Sequence, residues 1–257
     1  MAVDESLVGA LHVQALRAAD LAPETGSETF QASTIAALLD GAYDGDVSFA
    51  ELRHHGDLGL GTLNACDGEM IALEGEFFRA DVDGALHPVP AAAKTPFAVL
   101  TFFEPRHSFR AGRLGHDELL ALIDARIGHP EQVHALRVDG SFERVRARSV
   151  PRQEKPYRPL VEVIADQHVF EFADVEGTLV GFRFPDYAQG LNVPGYHLHF
   201  VDRDRRRGGH VLDCTVREAE IAVDDSLELH AELPPGVALP ASGGAARAEV
   251  DRVEREG

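Results

Sequence analysis

Hydrophobic and polar positions alternate along much of this chain, and the alternation is clearest over residues 190–214. There Tyr196, Leu198, Phe200 and Val211 fall on one face, and His197, His199 and His210 on the other. Between the two runs lies a charged stretch, residues 202–209, ending in two glycines. Strand-period alternation on both sides of a polar, glycine-terminated turn predicts a β-hairpin. With residues 203–206 as the loop, antiparallel pairing sets His199 opposite His210, with His197 two residues back on the same face. Cys214 would then lie opposite Gly195 on the histidine face, where it reads as a small packed residue rather than a ligand.

Elsewhere the pattern predicts mostly short strands. Residues 1–20 have apolar positions spaced as on an amphipathic helix. Ser33 is positioned to cap a short helix that runs to Leu39 and stops at Gly41, and Ser48 with Glu51 has capping-box spacing for a second. Asp67-Gly68, Glu74-Gly75 and Asp83-Gly84 punctuate short alternating runs, which predicts a β-meander with turns of two or four residues. Residues 97–103 read as a buried strand and residues 116–127 as a helix. Residues 133–138 and 142–148 read as two strands around Asp139-Gly140, and 160–165, 177–184 and 216–233 as further strands. Prolines 151, 156 and 159 suggest a boundary. The expected organisation is an N-terminal helical segment (1–29), a first sheet domain (30–155), a second (156–235) and an acidic tail (236–257). The residues alone say strand-rich with a few helices.

Composition narrows the partners. The formal charge is −19, which repels nucleic acid and anionic lipid at long range and obliges an anionic small substrate to find a local positive site. Lys94 and Lys155 are the only lysines among 24 Lys and Arg residues; a GC-rich genome and a salt-rich cytoplasm both produce this bias. No run approaches eighteen apolar residues. The acidic start is unlike a secretory signal, and two cysteines, Cys66 and Cys214, form no disulfide framework, so a cytoplasmic location is expected.

Three candidate features follow. The histidines lie about 6.6 Å apart along a strand and about 4.5–5.5 Å across the pair, which lets three nitrogens reach one metal ion. Three histidines without a fourth Cys or His nearby is the pattern of a catalytic zinc rather than a structural one. In the meander, Thr62 and Glu69 share a face, which suits either a functional site or a solvated edge hairpin. Arg144, Arg146 and Arg148 share a strand face, the most concentrated positive stripe in an acidic chain.

The stretches GDLGLGTLNACDGEMIALEG (56–75), KTPFAVLTFF (94–103), ARSVPRQEKPYRPLVEV (147–163), GTLVGFRFPDYAQGLNVPGYHLHF (177–200) and RGGHVLD (207–213) resemble the α-acetolactate decarboxylase family. The resemblance implies an α/β, strand-rich fold of two sheet domains with a few short helices, the zinc site on a β-hairpin of the second, and a homodimer. It implies Zn2+ held by His197, His199 and His210, with Glu69 and Thr62 catalytic and Arg148 the essential arginine. A second glutamate from the tail would be Glu254, with Glu256 as the alternative. The implied substrate is the small molecule 2-acetolactate, converted to acetoin and CO2, with no nucleic acid or membrane partner. A cupin-type metal oxygenase or hydrolase is the alternative, since cupins also use His-x-His, but Leu191 stands where that motif wants glycine. A structural metal protein would normally show a fourth ligand.

Overall fold

Asp202 makes the tight turn that brings the two histidine strands together. Its carboxylate accepts from the backbone N–H groups of Arg206 and Arg207 at 2.7 and 3.0 Å, so the charged stretch closes on its own side chain rather than on water. The computed structural model describes residues 10–14 and 27–233. In chain order its elements are β1 (Ala10–Gln14), β2 (Ser27–Ala32), α1 (Ile35–Leu39), β3 (Val47–Ser48), α2 (Phe49–Leu52), β4 (Leu58–Thr62), β5 (Glu69–Leu73), β6 (Glu76–Ala80) and β7 (Leu86–Pro88). They continue as β8 (Lys94–Thr95), β9 (Phe97–Thr101), β10 (His107–Ala111), β11 (Leu114–Gly115), α3 (His116–Asp124), β12 (Val133–Ser149), α4 (Leu160–Ile164), β13 (His168–Phe184), β14 (Gly195–Asp202) and β15 (Gly208–Glu232).

Two long strands organise the sheet. β12 pairs with β13 along one edge and with β15 along the other, while β14 pairs with both β13 and β15. Four antiparallel strands thereby close into a ring. The last residues of β15 continue past the ring to pair parallel with β2, from which the order runs β9, β4, β5, β6, β7. Prolines 151, 156 and 159 separate β12 from β13 in sequence, yet strands from both sides of residue 155 share this one sheet.

Apolar side chains divide by strand face. Leu136, Val138, Leu179, Leu198 and Phe200 pack with Leu119 and Ile123 of α3 on one face of the ring. Val180, Phe182, Phe184 and Val201 point the other way, against α1, α4, β4 and β9. Each such buried side chain contributes about 1.5–3 kcal/mol, and the period-2 alternation keeps the histidines of β14 on the second face.

The hairpin register is the expected one, with His199 paired to His210 and Phe200 to Gly209. Other expectations change. β14 and β15 stop pairing beyond His199 and His210, and an irregularity in β15 between Val211 and Asp213 turns Cys214 to face Val145 of β12 in the α3 core, not Gly195. Such bulges reset which face a strand presents. Asp139-Gly140 is no turn, because β12 runs straight through it. A Cβ at Gly140 would lie 2.4 Å from the carbonyl oxygen of Glu218, so glycine here permits close strand approach. Residues 160–165 are helical rather than extended: Leu160, Val163 and Ile164, at i, i+3 and i+4, bury one face. Thr34, not Ser33, caps α1, its hydroxyl accepting from Ala37 N–H at 3.1 Å, while the Ser48–Glu51 capping box is present. Residues 10–14, within the expected first helix, form a strand on the end of β15, whose open edge offers backbone partners that five residues of helix could not supply internally. The rest of that segment lies outside the described residues.

Candidate active site

β4 and β5 deliver the first pair of side chains. Thr62 pairs directly with Glu69 across a six-residue connection, longer than the two or four residues expected. The connection contains a 3-10 turn, residues Asn64–Cys66, with Ala65 and Cys66 at φ 65° and 50°. Left-handed backbone at non-glycine residues costs about 1–3 kcal/mol each and needs holding in place. Here Ala65 N–H donates to Tyr43 O at 2.7 Å, Gln153 N–H to Ala65 O at 2.7 Å, and Asn64 exchanges two hydrogen bonds with the Gly45 backbone. The Thr62 hydroxyl donates to Gly68 O at 2.7 Å, closing the turn just before Glu69.

β12 brings the arginine. Arg148 pairs in register with His210 and is 4% exposed, against the solvated stripe one would expect of its strand neighbours. Its Nη1 donates to Glu69 Oε1 at 3.0 Å. Arg144, on the same strand, instead bonds Asp213 and Glu171 near the surface. Glu69 itself is 7% exposed. Burial pushes its carboxyl above the ordinary carboxylate range, and the Arg148 charge offsets only part of that.

β14 and β15 supply the histidines, whose ligand nitrogens all lie within 4.8 Å of one another. His197 Nε2 and His199 Nε2 are 3.2 Å apart, and His199 Nε2 is 3.6 Å from Glu69 Oε2. His199 Nδ1 lies 2.8 Å from the carbonyl oxygen of Met70, which makes Nδ1 the donor and leaves Nε2 with its lone pair toward the cluster. Burial drives the basicity of both rings down, assisted by His199 at His197 and by Arg148 at both. His197 lies well below the usual range, and His199 falls to about 3 although the Met70 bond opposes the shift. Neutral, buried, convergent imidazoles are what a divalent transition-metal ion requires, so this donor set fits such a cation.

One cavity of about 40 Å3 joins these groups, with Thr62, Glu69, Arg148, His197 and His210 on its polar side and Ile35, Leu38 and Leu160 among its apolar wall. Sequence reasoning missed two participants. The Met70 carbonyl is backbone and carries no side-chain signature. The wall from α1 was visible only as the apolar spacing Ile35 and Leu38, three apart. The tail glutamates Glu254 and Glu256 lie outside the described residues.

Residues 29–238 match the family model described as alpha-acetolactate decarboxylase. The chain is 47% identical over 238 residues to the alpha-acetolactate decarboxylase of Methylococcus capsulatus, covering 91% of each chain. It is 44% identical to that of Methanosarcina mazei, covering 84% of this chain and 75% of the relative. The crystal structure of the Bacillus subtilis strain 168 enzyme superimposes with TM-score 0.86 at 36% identity, covering 90% of this chain and all of that one.

Proposed function

The chain belongs to the α-acetolactate decarboxylase family, a carboxy-lyase family, and from that premise we propose that it performs zinc-dependent decarboxylation of 2-acetolactate to acetoin and CO2, as a step in acetoin formation. The observation that carries the reading is the pocket in which His197 and His210 of a metal-competent histidine triad meet a buried arginine and a buried carboxyl, with the third, His199, 3.6 Å from that carboxyl.

His197, His199 and His210 would hold the ion, and three protein ligands leave coordination open for substrate. When bound, the cation supplies Lewis-acid stabilisation of negative charge on the substrate's oxygens. Arg148 receives the carboxylate through its planar fork of N–H groups and fixes the angle of the scissile bond to the neighbouring carbonyl. As that bond breaks, its electron pair moves toward the ketone and CO2 departs. Glu69, in the acid form that its burial favours, then delivers its proton to the carbon that lost the carboxylate, giving acetoin. Thr62 keeps the turn that aims Glu69. Glu254, or Glu256 in its place, is assigned as a further carboxylate reaching the site from the tail. A homodimer and a cytoplasmic location complete the reading.

The test is direct. Purified protein incubated with racemic 2-acetolactate should form acetoin. Dialysis against a chelator should abolish this, and zinc should restore it at one ion per chain by elemental analysis. Undiminished turnover in metal-free protein would remove the ion from the reaction. Comparing Glu254→Gln with Glu256→Gln identifies the tail carboxylate.

A further inference from the structure

We infer that Asn64 is a positioning residue for Glu69, and that its amide fixes the face from which the proton reaches the carbon that has lost CO2. This rests on the decarboxylase reading above and adds to it the means by which the acid is aimed.

In that reading the carbon that gives up its carboxylate is left trigonal, and the electron pair of the broken bond takes the Glu69 proton from the side on which Glu69 stands. The product carbon carries four different groups, so the placement of one carboxyl is recorded in the handedness of the acetoin. Glu69 is the first residue of β5, and its direction follows from how the chain enters that strand. Thr62, Cys66 and Glu69 all line the pocket. The connection from β4 to β5 therefore starts, passes and ends on the pocket wall, and its shape sets where the acid lies.

That connection uses backbone its own residues disfavour. Ala65 and Cys66 are left-handed, at φ 65° and 50°, where a Cβ crowds the chain, so contacts from outside must hold it. Three come from residues 43–45. Tyr43 O accepts from Ala65 N–H at 2.7 Å, Gly45 N–H donates to Asn64 Oδ1 at 2.9 Å, and Asn64 Nδ2 donates to Gly45 O at 3.0 Å. The Asn64 amide thus spends its acceptor and a donor on one backbone residue, which fixes its plane as well as its position.

The partner of that grip is itself held fast. A Cβ at Gly45 would lie 1.8 Å from Thr95 O, so the segment is pressed against the backbone of β8. Thr95 is 1% exposed, and its hydroxyl reaches the carbonyl oxygen of Thr62 at 2.7 Å. A closed circuit of contacts runs from Thr62 through Thr95 and Gly45 to Asn64, one turn ahead of Glu69. Strand pairing of Glu69 with Thr62 and Ala80 keeps its backbone in the sheet, and Asn64 keeps the turn that leads into it.

The experiment gives the metal-loaded enzyme 2-acetolactate and reads kcat, KM and the enantiomeric excess of freshly formed acetoin. The wild type should release one enantiomer in excess. Asn64→Ala loses both bonds to Gly45, and Asn64→Asp, nearly the same shape, sets a carboxylate oxygen against Gly45 O. In each, kcat should fall by about tenfold or more, with KM kept and the excess reduced. Handedness is recorded per turnover and does not depend on the fraction of protein folded, so a merely structural role leaves it still. Adding Ala65→Gly to Asn64→Ala supplies a residue that takes positive φ readily and should recover part of the rate and of the excess. Wild-type excess in both Asn64 variants, a loss that the added glycine leaves untouched, or racemic acetoin from the wild type overturns the positioning role and leaves the decarboxylase reading intact. Absence of turnover by metal-loaded wild type overturns both.

Discussion

Arg148 donates a hydrogen bond to Glu69 away from solvent, with Nη1 3.0 Å from Oε1 and both side chains under a tenth exposed. A pair in this setting is sensitive to geometry as well as charge, since removing one partner of a buried pair costs about 3–5 kcal/mol. In the proposed reaction the same guanidinium must hold Glu69 and receive the substrate carboxylate, which needs the planar fork.

Arg148→Lys is therefore not conservative. Lysine keeps the charge and loses the two-pronged contact, so kcat/KM should fall by at least about tenfold, or about 1.4 kcal/mol of transition-state stabilisation. Arg144→Lys is the control: its pairs with Asp213 and Glu171 are partly exposed, where such contacts are worth about 0–1 kcal/mol. Steady-state kinetics of the two variants checks this, and equal rates in both would return Arg148 to the status of its strand neighbours.

His199 is held from behind by the Met70 carbonyl. His199→Ala should lose stoichiometric zinc while far-UV circular dichroism stays that of the wild type, as read by elemental analysis and spectroscopy. Retention of one tightly held zinc per chain would mean that the ion sits elsewhere.

Thr62 contributes a hydroxyl that closes the turn ahead of Glu69. Thr62→Val removes a hydrogen bond worth about 0.5–1.5 kcal/mol and frees the turn, so activity should fall together with Tm. Thr62→Ser keeps the bond and should keep most of the rate. If valine is as active as serine, the turn does not position Glu69.

Away from the site, Asp225 bridges two imidazoles, 2.8 Å from His134 Nδ1 and 3.1 Å from His107 Nε2. Burial alone would raise its pKa, but the hydrogen bonds and charges of His134 and then His107 outweigh it, and the net shift is downward. A carboxyl depressed in the folded state contributes stability above its unfolded pKa, near 4, and loses it as pH falls through the folded value. Asp225→Asn should lower Tm at pH 7 by several degrees, at about 2–4 °C per kcal/mol, and flatten the fall in Tm between pH about 5 and 3. Calorimetry across that range decides it.

The charge of −19 predicts a salt response. Repulsion among like charges is screened once the Debye length drops to about 3 Å near 1 M salt. Tm should rise steeply with potassium chloride if the acidic surface is an adaptation to salt, and stay flat if it reflects genome composition.

The histidine hairpin was legible because two strand-period runs with opposite faces leave one register that buries Leu198 and Phe200 while gathering the imidazoles. Thr62 opposite Glu69 was legible for the same reason, although the turn between them relies on left-handed Ala65 and Cys66 that no residue-type rule anticipates. The α4 segment was not legible: six apolar-rich residues fit a strand as well as one and a half helical turns, and only the packing of Leu160, Val163 and Ile164 on one side decides. Nor was the turn of Cys214 away from the histidines, because a one-residue slip in β15 has no compositional mark. Arg148 looked like Arg144 and Arg146 by spacing alone, and what separates it is the arrival of β5 opposite its end of the strand.

His199 and Met70 are 129 positions apart in sequence, and this spacing orders events during synthesis. By the time β14 leaves the ribosome, β5 has long been available, at about 5–20 residues per second, yet β14 has no partner in β15 until the following residues emerge. In the proposed reading, capture of the ion waits for His210, the last of the three ligand histidines to leave the ribosome. A truncated nascent chain ending before His210 should hold no zinc, whatever the concentration of the ion around it.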